Sequence, residues 1–370
     1  MIAVHTGRLC SITTWCCVFF LALAFYSCGS SDDEDSIDVE QKQVIKAIDL
    51  SSFPKIDQSQ VVYYSESGAA TELTTIARNK GVNTIRLKLW VHPSTPHSGF
   101  DEVRVFSQAL KDEGFKIWLT LHYSDTWADP GQQAAPAAWS NQSISELRTT
   151  VYDYTSNVVN TIKPDYIQIG NEVNSGMLHP LGDINRGPND FLSLLRAGIS
   201  AVRDHSTNTK IIIHYAGIDG ATWFYDQVKT IDYDIIGLSY YPIWHGKSLT
   251  GLEQTMIELA STHSKEVVIA ETAYPFTLGY ADYTNNIVGL EEQLILPQYL
   301  PTPMGQMQFL KSLKTISTSF EKGIGFCYWG GELIAWKGDQ ATDASPWENQ
   351  ALFNFDHQAV LAWAVFSEAD

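Results

Sequence analysis

The chain has 370 residues, 44% hydrophobic and 12% aromatic, with a formal net charge of -18. That length and apolar content supply a large core, as one big domain or two ordinary ones, and exclude a disordered or fibrous chain. The acidity argues against nucleic acid and anionic membrane surfaces as partners and fits a neutral substrate. Eleven Trp and seventeen Tyr provide flat faces of the kind that stack on sugar rings, beside those that fill the core.

Arg8 precedes an apolar run from Trp15 to Tyr26. The run is shorter than the ~20 residues a spanning helix takes, so residues 1–27 read as a secretory signal outside the fold. Ser27-Cys28-Gly29 resembles a bacterial lipoprotein processing site with Cys28 as the lipidated first residue. Asp32-Asp33-Glu34-Asp35 resembles the surface-export signal of Bacteroidetes lipoproteins. The alternative is an ordinary signal peptide followed by a solvated acidic linker over 28–43. Of five cysteines, Cys10, Cys16 and Cys17 fall in the leader, Cys28 is the anchor and only Cys327 belongs to the body. The exported protein has no internal disulfide to form and relies on its core.

From residue 44 to residue 370 one theme repeats. Short β-rich apolar runs cover Val44–Leu50, Thr84–Trp90, Lys116–His122, Tyr166–Glu172, Lys210–Tyr215, Asp234–Tyr240, Glu266–Glu271 and Gly323–Trp329. Continuous apolar runs of this length suit strands buried on both faces. Between them, Thr71–Lys80, Glu102–Glu113, Ser145–Ile162 and Phe191–His205 space their apolar residues as helices do. Gly81, Gly114 and Gly323 stand where helix C-caps are expected. Eight alternating strand and helix signals predict an α/β fold, a single-domain (β/α)8 TIM barrel. No Gly-rich phosphate turn follows an early strand, which disfavours a doubly wound open sheet. Longer inserts at Ser124–Ser143, Gly176–Asn189, Pro275–Gly305 and Gly331–Trp347 all follow strands, on the face where such barrels place their active sites.

Strand ends converge there. They are Arg86/Trp90, His122, Asn171/Glu172, His214, Tyr240, Glu271 and Trp329. A lone carboxylate at a strand end is as readily a salt-bridged terminus as a functional group. Glu172 on strand 4 and Glu271 on strand 7 form a pair of the kind that cleaves glycosidic bonds. Leu121-His122-Tyr123-Ser124-Asp125-Thr126-Trp127-Ala128-Asp129-Pro130, with Pro136 and Trp139, resembles glycoside hydrolase family 53, the endo-β-1,4-galactanases of arabinogalactan degradation. Arg86–Val91, Gly170–Asn174, Glu271–Pro275 and Glu348–Phe353 agree with it, so the likeness spans nearly all of 44–366. Two positions depart from the family pattern: Lys88, where Arg is usual, and Gly330-Gly331, where bulkier residues are.

The resemblance implies Glu172 as acid/base and Glu271 as nucleophile of a retaining hydrolysis. Arg86 is expected to hydrogen-bond Glu271 and keep it charged, Tyr240 to orient it, and Asn171 to bind the sugar 2-hydroxyl. His122, Asp125 and His214 are supporting candidates. Trp329 is the expected floor under the catalytic sugar, and Trp90, Trp127, Trp139, Trp244, Trp336 and Trp347 are candidate platforms, each with plain packing as the alternative. Asp282, Thr284 and Asn286 alternate in the insert after strand 7, a spacing that suits Ca²⁺. In some relatives a calcium ion ties loops 7 and 8, and Ser345 and Glu348 fall where the loop 8 ligands would sit. Catalysis itself needs no cofactor. The expected partner is β-1,4-galactan or arabinogalactan, the membrane enters only through the lipid anchor, and the protein is expected to be monomeric. A retaining mannanase or xylanase on the same barrel, and a non-catalytic surface glycan-binding lipoprotein, are the alternatives.

Overall fold

A computed structural model describes residues 44–368. The expected signal (1–27), the acidic linker (28–43) and Cys28 lie outside the described residues. Within them, β1 (Ile45–Asp49), β2 (Thr84–Leu89), β3 (Lys116–Leu121), β4 (Tyr166–Ile169), β5 (Lys210–Ala216), β6 (Ile235–Ser239), β7 (Glu266–Thr272) and β8 (Gly323–Tyr328) form a closed, all-parallel barrel in sequence order. Pairing of Ala47 with both Thr84 and Cys327 closes the ring.

Strand interiors explain this choice. Ile, Val and Leu dominate them, and nearly every strand residue is buried, because the inner face fills the barrel and the outer face packs on helices. Ile45, Trp118, Ile212, Ile235, Val268 and Ile324 belong to a separate small cluster that fills the barrel interior. The larger cluster lies between strands and helices. The helix Ile144–Ile162 shows how the sequence sets an outer element: Ser143 and Glu146 form a reciprocal capping box, and Leu147, Val151, Val158 and Ile162 make the buried stripe.

Gly81 and Gly114 take the left-handed conformation expected just after a helix. Gly323 does not; it opens β8, packed against Phe320 and Ser317, and the preceding helix has already ended at Thr318. Six strands stop one to three residues before the expected ends, most clearly β4 at Ile169, while β5 and β7 run one residue further, to Ala216 and Thr272. There the chain bends: Gly170 has φ 82° and Glu172 φ 46°. A side chain at Gly170 would meet Val173 Cγ1 at 2.4 Å, so only glycine makes this turn. A non-glycine residue at positive φ is strained backbone of the kind that collects at functional sites. No helix among the described residues is long and apolar enough to cross a membrane.

Candidate active site

A cleft of about 670 Å³ opens at the C-terminal ends of the strands. Asp49, Arg86, Lys88, His122, Asn171, Glu172, Tyr241 and Glu271 line its polar part. A carboxylate oxygen of Glu172, a ring nitrogen of His214 and a carboxylate oxygen of Glu271 lie within 4.8 Å of one another. Trp127, Trp329, Trp347 and Trp244 form an arc along the cleft, with successive ring centroids 6.1, 4.4 and 6.0 Å apart. Trp127 and Trp244 remain 40% and 53% exposed, which leaves ring faces open to a ligand.

The two carboxyls have different surroundings. Arg86, buried in β2, donates from Nη2 to Glu271 Oε1 at 2.7 Å and from Nη1 to Asp49 Oδ2 at 2.7 Å. Burial works against the guanidinium charge, and Glu271 and Asp49 more than offset it. Tyr241 Oη donates to Glu271 Oε2 at 3.0 Å. Burial pushes the Glu271 carboxyl up; Arg86 and Tyr241 pull it back toward ionisation, against Asp49. Glu172 has no cation bonded to it. Burial first, then the nearby charge of Glu271, raise it to about 8, against hydrogen bonding from Ser239 and the field of Arg86. Burial raises both carboxyls, but Arg86 and Tyr241 favour the ionised form of Glu271 whereas Glu172 has only the Ser239 hydroxyl, so Glu271 is the better placed of the two to give up its proton.

Asn171 is fixed on both sides. Its Oδ1 accepts from Arg86 Nη2 at 2.9 Å and Gln168 Nε2 at 3.0 Å, and its Nδ2 donates to Ala128 O at 2.8 Å, leaving one N–H for a ligand. His122 Nδ1 accepts from Ala128 N at 3.0 Å. Burial and the fields of Arg86 and Lys88 keep its ring neutral, so Nε2 carries the proton. His214 does not line the cleft; it stands behind Glu172, bonded to Ser239 Oγ at 2.8 Å.

Several expected site residues lie elsewhere. Tyr240 is buried, and its hydroxyl donates to Gly246 O at 2.9 Å. Ser239 and Tyr241 share the barrel's inner face, as residues two apart on a strand do, which turns Tyr240 outward. Asp125 accepts from His92 N and Ala137 N, both at 2.9 Å, and staples its loop instead of facing a ligand. Trp90 packs behind Trp127 at 5.5 Å. Trp139 is core against Tyr154. Trp336 lies off the cleft, between Lys55 and Lys337. Asp49, Gln168, Ser239 and Tyr241 were not singled out from the sequence, although the inward parity of their strands marks all four. Lys88 Nζ is buried without a hydrogen-bond partner, 4.4 Å from the Trp127 ring centroid. Gly330 makes a left-handed turn directly over Leu333.

Loops 7 and 8 are clasped together. Glu348 Oε1 accepts from Ala281 N at 2.7 Å and Thr284 Oγ1 from Ala344 N at 3.0 Å. Asp282 Oδ2, Asn286 Oδ1 and Glu348 Oε2 are buried with no hydrogen-bond partner. Ser345, also buried, bonds Trp347 N at 3.2 Å. Three orphaned oxygens from carboxylates and an amide fit the donor set of a hard cation.

A (β/α)8 barrel with a close pair of unlike carboxyls beneath an aromatic arc defines a class, the barrel glycosidases. The sequence profile described as glycosyl hydrolase family 53 matches residues 45–366, and the chain belongs to that family. Among curated relatives, "Arabinogalactan endo-beta-1,4-galactanase" of Cellvibrio japonicus is 34% identical over 79% of this chain and 81% of its own length. An uncharacterized protein of Niallia circulans is 34% identical over 88% of this chain and 94% of its own. The solved catalytic domain of Ignisphaera aggregans from the same family superposes with TM-score 0.82 at 34% identity, covering 89% of this chain and 97% of that one.

Proposed function

We propose that the chain is an endo-acting β-1,4-galactanase that hydrolyses galactan and type I arabinogalactan with retention at the anomeric carbon. The observation that carries the mechanism is that a carboxylate oxygen of Glu172 lies within 4.8 Å of one of Glu271. Double displacement uses carboxyls ~5–5.5 Å apart, whereas inversion keeps them at ~6.5–9.5 Å to admit a water. Glu271, ionised beside Arg86 and Tyr241, attacks the anomeric carbon. Glu172 gives its proton to the departing glycosidic oxygen. The glycosyl ester on Glu271 is then attacked by water, whose proton returns to Glu172. The free N–H of Asn171 and Nε2–H of His122 are the donors for sugar hydroxyls, and the tryptophan arc stacks the flanking rings.

The substrate rests on family membership and on the galactanase names of relatives such as the Cellvibrio japonicus protein. Reducing ends released from galactan, mannan and xylan by the purified protein test it. Galactan should be cleaved at least tenfold faster, and preference for mannan or xylan would replace this reading by another barrel glycanase.

We also propose that Asp282, Thr284, Asn286, Ser345 and Glu348 hold a structural Ca²⁺ between loops 7 and 8. The orphaned oxygens at three of these positions support it. The ion's role there is to fix loop 8, which carries Trp347, without entering the reaction. Export with a lipid on Cys28 and display at the outer surface remains the reading of the leader. Cys28→Ala should release the protein from the membrane fraction, and unchanged partitioning would remove the anchor.

A further inference from the structure

Glu172 ends a hydrogen-bond chain that begins inside the barrel. Trp118 Nε1–H donates to Gln168 Oε1 at 3.3 Å, which leaves Nε2 as the donor end of that amide. Gln168 Nε2 stands 2.8 Å from His214 Nδ1. Asn171 Oδ1 is farther from that nitrogen, at 3.2 Å, and already accepts from Arg86. Two donors facing one another at the shorter distance would repel, so Nδ1 accepts and the proton sits on Nε2. Burial, Arg86, His122 and His245 hold the ring neutral. Nε2–H then donates to Ser239 Oγ at 2.8 Å, and the single hydroxyl proton goes to Glu172 Oε1 at 2.5 Å.

We propose that Ser239, oriented by Gln168 and His214, is a positioning residue that keeps Glu172 Oε1 an acceptor in both protonation states and so confines the transferable proton to Oε2. In a protonated carboxyl the carbonyl oxygen is a far better acceptor than the hydroxyl oxygen, so the bond from Ser239 favours the proton on the other oxygen, Oε2. The same bond holds the carboxylate in place after its proton has left, when it must take one back from water. The inference rests on Glu172 being the acid/base.

Other groups act on Glu172 too: Arg86 from β2, Asp129 from the loop after β3, His214 from β5, Tyr241 beyond β6 and Glu271 from β7. His122, His245, Lys88 and Asp49 line the same cleft. Ser239 differs from the charged groups in acting through one bond, so its removal should move one limb of the pH profile.

The experiment is kcat/KM against pH on galactan for wild type, Ser239→Ala, Ser239→Cys and Glu172→Gln. The basic limb reports loss of the Glu172 proton. A hydrogen bond donated to a carboxylate favours ionisation, so Ser239→Ala should move that limb up by about one pH unit and lower kcat roughly tenfold. The weaker thiol donor of Ser239→Cys should give a smaller shift in the same direction, and decides alone if the alanine variant does not fold. A fall in kcat with an unmoved limb would make Ser239 merely structural and overturn the proposal. A basic limb that persists in Glu172→Gln would instead overturn the assignment of Glu172, and this inference with it.

Discussion

The Tyr241 hydroxyl donates to Glu271 Oε2 across 3.0 Å, while Arg86 holds Oε1 of the same carboxylate at 2.7 Å. Both bonds favour the ionised form, and activity is lost when pH falls through the Glu271 pKa. Tyr241→Phe should therefore shift the acid limb of kcat/KM to higher pH and lower kcat roughly ten- to a hundredfold, the worth of one hydrogen bond to a charged group. Tyr240→Phe loses only the bond to Gly246 O and should stay within about twofold of wild type. Reversal of these two effects would return the orienting role to Tyr240.

Arg86 joins two buried carboxylates, Asp49 and Glu271. Replacing it by Met leaves both unpaired in a dry site. Breaking a buried pair costs about 3–5 kcal/mol, so Arg86→Met should melt well below wild type in calorimetry. A melting temperature within a degree or two of wild type would mean that the barrel top is wetter than the structure shows.

Glu172 trades stability for its proton. Its folded pKa, about 8, lies above the ordinary 4.5. The unfolded chain releases that proton first, so the contribution to stability is complete below the ordinary value and is lost as pH rises toward 8. Glu172→Gln removes the dependence. It should melt a few degrees above wild type at pH 7–8, with the gap closing toward pH 4. A pH-independent gap would show that the Glu172 carboxyl is not shifted.

Calcium between loops 7 and 8 stabilises by mass action if it binds only the folded chain. Chelation should lower the melting temperature, added Ca²⁺ should restore it, and Asp282→Ala should abolish the response. Elemental analysis that finds no bound metal would remove the site.

The barrel was legible because burial on both faces writes each strand as an apolar run, and eight such runs alternate with helical spacing. The strand limits were less so: at β4 the chain leaves the ladder at Gly170, before Asn171 and Glu172. Glu172 and Glu271 stood out as charges ending apolar runs. The apolar run Asp234–Tyr240 ends one residue short of Tyr241, so its end marks the wrong neighbour of Glu271. Parity from Gly237 through Ser239 points to Tyr241, although it would have failed at β7, where a register shift places Glu271 beside Ser239. Asp125 and Trp336 carry chemistry-bearing side chains whose partners are backbone or lysine, and no spacing rule distinguishes a loop staple from a ligand contact. The Gln168–His214–Ser239 chain joins three strands and exists only once the barrel is closed.

Double displacement by Glu172 and Glu271 would retain the configuration at the anomeric carbon. Proton NMR of a fresh galactan digest, recorded before mutarotation, tests it most directly. The β-anomer of the new reducing end should appear first, and the α-anomer should grow in only with mutarotation. α-Product present from the first spectrum would contradict it.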